Sequence, residues 1–145
     1  MDKFVNQLKI AFASQYAFAI KAQNFHWNVE GNDFYQKHKM FQKIYEETYG
    51  AVDDFAENIR KIKAYTPASL YRFSALSAVD DEVEILDPQA MVAELLRDAE
   101  KMQEIMKVLF TEAEARGENG LSNFLADRQD AFAKHAWFLR STLKA

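Results

Sequence analysis

Apolar residues recur every three or four positions along most of the chain, the spacing of one face of a helix. The first run reads Phe4, Leu8, Phe12, Phe18, Ala22 and Phe25, and it stops at the turn signal Glu30–Gly31. Asn32–Asp33 offer a side-chain cap for a second helix. Its stripe of Phe34, His38, Phe41, Tyr45, Thr48, Val52, Phe55, Ile59 and Ile62 predicts one unbroken element up to Thr66–Pro67. The stretch ASLYRFSALSAVDDEVEI then loses the long period and reads as a crossing connection that holds a short helix.

Asp87–Pro88 is a cap followed by a first-turn proline. A third helix follows through Val92, Leu95, Ala99, Met102, Met106, Leu109 and Ala113, with Met91, Met102 and Met106 as core filling. RGENG predicts a break at Gly117 and Gly120, and the fourth run, Leu121, Leu125, Phe132, His135, Phe138 and Leu139, reaches the end of the chain. Two helical hairpins joined by a long crossover predict an all-α chain: a ferritin-like four-helix bundle with a short helix in the crossover between helices 2 and 3. Residues 1–145 form a single domain on this reading.

Composition narrows the chemistry. With 49% apolar and 14% aromatic residues in 145, the chain has enough for one core and is not a disordered composition. The absence of Cys excludes thiolate metal sites and a disulfide framework. A net charge of −4 disfavours a general nucleic-acid surface. No apolar run reaches the roughly 18 residues that a membrane span requires. The opening segment is interrupted by Gln7, Lys9, Ser14 and Gln15 at helical spacing, so it reads as an amphipathic helix of a cytoplasmic protein rather than an export signal.

Two of the three histidines, His26 and His38, flank the turn at Gly31, and Trp27 follows the first. Asp53 and Glu57 stand four apart further along the second helix, so their carboxylates share a face. His38 and Asp53 differ by about 60° around the helix axis but lie about 22 Å apart along it. One metal, with bonds of about 2 Å, cannot reach both within a chain. The hairpin therefore has a histidine end and a carboxylate end. An antiparallel two-fold dimer would bring one chain's histidines to its partner's carboxylates, twice over. Taken alone, each residue also has a plainer reading. His38 fits a hydrogen-bonded position on the apolar stripe, Asp53 and Glu57 a solvated face, His135 a core stripe, and Trp27 and Trp137 core or interface aromatics. No Glu-x-x-His pair exists, so the intrachain diiron arrangement of a four-helix bundle is not expected.

The stretch FHWNVEGNDFYQKHKMFQKIYEETYGAVDDFAENI resembles the Dps-type mini-ferritins, as does the final NFLADRQDAFAKHAWFLRSTL with its Trp-x-Leu-Arg. The resemblance covers nearly the whole chain. It implies a hollow homododecamer with iron centres at dimer interfaces. Asp53, Glu57 and the partner's His26 would hold one iron, and His38 would help define a second position. It implies Fe(II) oxidation, preferably by hydrogen peroxide, and Fe(III) mineral storage, with zinc as a competing cation. Trp27 would stand beside the centre and intercept radicals, and Glu118 and Asp127 would line acidic entry pores. The chain departs from the family at Gln42, where an Asp is usual, with Glu46 one turn further as a substitute. Helical periodicity starts at Phe4 and the sequence ends at Lys144–Ala145, so no basic tail of the kind used to bind DNA is expected. Two other functions stay open: a nucleoid-coating protein, and an iron-scavenging shell with a degenerate ferroxidase centre.

Overall fold

The computed structural model describes residues 2–144. Six helical segments follow one another: α1 (Lys3–Asn28), α2 (Phe34–Gly50), α3 (Val52–Lys61), α4 (Leu70–Leu76), α5 (Pro88–Ala115) and α6 (Asn119–Leu143). α1 pairs with α2, α5 pairs with α6, and α1 joins the two hairpins by packing on α5. With α3 continuing the course of α2, these make the four long members of the predicted bundle. The short α4 lies in the crossover against α1.

Most positions of the predicted stripes meet in one core, although Phe34 and Phe138 are exposed. Phe18, Phe25, Phe41, Phe55, Phe132, Met91, Met102 and Met106 are fully buried there. Aromatic pairs across helices meet edge to face, as the ring quadrupole favours: Phe18–Phe132 at 5.1 Å, Phe12–Phe55 at 5.6 Å and Phe25–Phe41 at 5.7 Å between centroids. The predicted cap at Asp87 forms, its Oδ1 accepting from the Ala90 N–H at 2.9 Å. Asp2 caps α1 in the same way and also takes two hydrogen bonds from the Arg116 guanidinium, at 2.9 and 3.1 Å.

Three local expectations are corrected. The second helix is not continuous but breaks at Ala51 (φ −99°, ψ 2°), whose N–H reaches back only three residues to the Thr48 carbonyl at 3.3 Å. The Asp33 side chain does not cap α2. Asp33 adopts a left-handed conformation (φ 61°), and the Phe34 N–H instead bonds to the Gly31 carbonyl at 3.1 Å. Gly120 does not break a helix but lies in the first turn of α6. Gly117 alone makes the turn, at φ 73°, with Glu118 N–H on the Ala113 carbonyl and Gly117 N–H on that of Glu114. That is the bond pair by which a left-handed glycine closes a helix.

Candidate metal centre

The turn after α1 folds α2 back so that His26 and His38 face each other. Their rings stack with centroids 3.8 Å apart and 16° between planes. The Nδ1 of His26 lies 2.7 Å from the His38 carbonyl oxygen, and the Nδ1 of His38 lies 2.6 Å from that of His26. A carbonyl oxygen only accepts, so both Nδ1 atoms must carry the proton. Each neutral imidazole is then left with its lone pair on Nε2, the form that binds a metal. Phe34 stacks on His38 at 5.1 Å and the Tyr45 ring meets His26 edge-on at 5.2 Å, which fixes the pair further. His26 is buried, His38 half-buried, and Trp27 is 66% exposed, so Trp27 is a surface residue and not a core one.

The other end of the hairpin carries Asp53, Asp54 and Glu57, exposed on α3, with one carboxylate oxygen of each within 4.8 Å of the others. Among the described residues this is the single cluster of three or more metal-binding side chains. Asp53 and Glu57 are the expected pair. Asp54 was missed, although its spacing of three to Glu57 already places the two as neighbours on a helix. The structure does not bring these carboxylates to the histidines, which gather at the turn that opens α2 while the carboxylates sit beyond its far end. Gln42, half-buried, follows His38 by one turn on α2, and Glu46 is exposed. Glu118, just before α6, and Asp127, within it, are both exposed.

A second polar cluster, not anticipated from the sequence, fills the space between α1, α2 and α6. Arg128, 3% exposed, pairs through both terminal nitrogens with the Glu47 carboxylate, while its Nε donates to Gln15 Oε1 at 3.1 Å. His135 Nε2 meets Glu47 Oε1 at 2.7 Å. Burial pushes the Glu47 carboxyl up, but the hydrogen bonds from His135 and Arg128 outweigh it and hold it down at about 2. The reading of His135 as a structural residue agrees with this placement. A guanidinium already neutralises Glu47, so this cluster is poorly suited to a cation.

Residues 5–145 match the family described as Ferritin-like domain. The chain belongs to that family. The Dps-type character seen in the His-Trp-Asn stretch is borne out by its relatives. The chain is 29% identical over 137 residues to the DNA protection during starvation protein of Helicobacter pylori, covering 94% of this chain and 95% of that one. It superposes on the crystal structure of antigen TpF1 from Treponema pallidum with a TM-score of 0.93, at 28% identity over 98% of this chain and 92% of the other. For Dps from Staphylococcus aureus the TM-score is 0.93 at 25% identity, covering 98% of this chain and 95% of the other. No helix among the described residues of this ferritin-like chain is long and apolar enough to cross a membrane.

Proposed function

We propose that this chain is the subunit of a cytoplasmic mini-ferritin: a ferroxidase that oxidises Fe(II), preferably with hydrogen peroxide, and stores Fe(III) mineral inside a shell of twelve copies. The observation that carries this reading is the split ligand set. Two imidazoles are locked with Nδ1 as donor and Nε2 turned away from those bonds at one end of a hairpin, and a carboxylate cluster lies beyond its other end. Neither half suffices, and a two-fold axis that sets two hairpins antiparallel completes both. Exposed apolar side chains support assembly. Tyr65, Leu70, Tyr71, Val83 and Ile85 are at least 65% exposed, and apolar surface of this kind marks contacts with other chains.

On this reading His26 and His38 of one subunit supply neutral nitrogen donors. Asp53 and Glu57 of the next supply anionic oxygen, a donor set that suits iron and also admits zinc. Peroxide takes two electrons and each Fe(II) gives one, so rapid turnover favours two iron positions. Gln42 offers the second position a neutral amide oxygen where a carboxylate would add charge. The exposed Trp27, adjacent to His26, would quench oxidising radicals that escape the centre. Glu118 and Asp127 present negative charge along the route by which iron enters the shell. DNA binding is secondary here, because the net charge of −4 opposes it.

Mixed shells test the proposal. His26→Ala and Asp53→Ala subunits each form inactive assemblies, whereas a mixed interface keeps one intact site of its two. Mixing verified by mass spectrometry should therefore restore part of the Fe(II) oxidation. No restoration would sink the shared centre.

A further inference from the structure

The break at Ala51 separates the helix that carries the histidine pair from the one that carries the carboxylates, and a buried relay holds the edge of that break. Thr48, whose carbonyl accepts the three-residue bond from Ala51 at 3.3 Å, has no exposed surface. A second donor reaches the same carbonyl: Gln15 Nε2 on α1, at 3.1 Å. Gln15 is itself fully buried, and its Oε1 accepts from Arg128 Nε on α6 at 3.1 Å. The rest of the Arg128 guanidinium grips Glu47, the residue before Thr48. Two other helices thus converge on consecutive residues in the last turn of α2. The Thr48 hydroxyl turns inward as well, donating to the Ile44 carbonyl at 2.7 Å. Helix α3 restarts at Val52, and Asp53 is its second residue.

We infer that Gln15, oriented by Arg128, is a positioning residue for the carboxylate half of the centre. By keeping the Thr48 carbonyl engaged outside the regular helix ladder, it fixes where α2 ends and so the direction in which α3 presents Asp53, Asp54 and Glu57. A buried carbonyl must keep a partner. Without the Gln15 amide, the Thr48 carbonyl keeps only the long three-residue bond from Ala51, and the Val52 N–H, four residues on, can replace Gln15 with a regular helical bond. That bond would extend α2 through Ala51 and rotate Asp53 about the helix axis. This inference rests on the proposed centre and deepens it.

The test uses Co(II), whose absorption spectrum reports its ligand geometry, with calorimetry for affinity and the assembled protein verified by light scattering. Gln15→Glu still accepts from Arg128 but no longer donates to Thr48, so it cuts the relay at one link. It should weaken Co(II) binding about 10-fold or more, the scale on which supporting contacts act, and shift the spectrum. Arg128→Lys keeps the positive charge facing Glu47 but loses the Nε donor to Gln15. It should give a smaller loss in the same direction and carries the test should Gln15→Glu not assemble. Wild-type affinity and spectrum in whichever of the two variants assembles, with binding abolished in Asp53→Ala, would overturn the positioning role and leave the centre standing. Unchanged binding in Asp53→Ala would instead remove the centre on which the inference rests.

Discussion

His26 and His38 hold each other through reciprocal hydrogen bonds, each Nδ1 donating to the other's backbone carbonyl at 2.7 and 2.6 Å. The pairing locks the α1–α2 turn and selects one tautomer for both rings. Solid-state NMR of 15N-histidine-labelled, metal-free protein near pH 8 should therefore show two histidines protonated at Nδ1. Either of these rings protonated at Nε2 and not at Nδ1 would contradict the pairing.

Gln42 is half-buried and follows His38 by one helical turn, where the proposed function puts the second iron position. Replacing it with Asp adds an anionic oxygen beside a divalent cation, and such changes commonly alter affinity by about 10–100-fold. Gln42→Asp should raise second-site occupancy in calorimetric titrations and speed Fe(II) oxidation by peroxide. Identical stoichiometry and affinity in the two proteins would mean that Gln42 does not limit the centre.

Acid should loosen the polar cluster between α2 and α6. The Glu47 carboxyl is held at about 2, below its ordinary 4.5, by His135 and Arg128 against the opposing effect of burial. A depressed carboxyl contributes stability that is complete above its unfolded value and is lost as pH falls through its folded one. Glu47 should thus add to the fall in melting temperature between about pH 4.5 and pH 2, and Glu47→Gln should flatten the curve in that window. The same variant leaves the buried Arg128 without its anion and should melt lower at pH 7. Parallel melting curves for the two proteins across both ranges would assign the cluster no such role.

Asp127 is exposed on α6, and the proposed function assigns it to an acidic entry route, where a negative side chain would draw cations. Asp127→Asn should slow iron uptake at low salt, and the difference should shrink as salt screens the charge. Equal uptake rates at low salt would place Asp127 outside the entry route.

Much of this fold is legible because helices announce themselves by spacing: the stripe from Phe4 to Phe25 and that from Met91 to Ala113 are buried as read. The candidate ligands stood out for a different reason. His26, His38, Asp53 and Glu57 are separated by fixed intervals that survive without knowledge of the packing. The break at Ala51 left no such mark. Val52 and Phe55 continue the apolar rhythm straight through it, and its partner Gln15 lies 33 residues from Thr48. The Glu47–Arg128 pair spans 81 residues, and neither member differs in sequence from an ordinary surface charge. The turn at Asp33 was misread because Asn and Asp serve equally as caps and as left-handed turn residues.

The pairing of buried Arg128 with the exposed Glu47 also bears on which packing the chain rejects. An apolar stripe repeating every three or four residues looks much the same after a helix slides by one turn, about 5.4 Å. Burial of hydrocarbon alone therefore separates the correct register of α6 from its neighbours only weakly. A slide of that size would carry Arg128 away from Glu47 and Gln15 together, stranding a cation in the interior without its partners. The charged cluster acts as an alignment key, and helices that pack out of step pay a penalty that oil-like contacts would never impose.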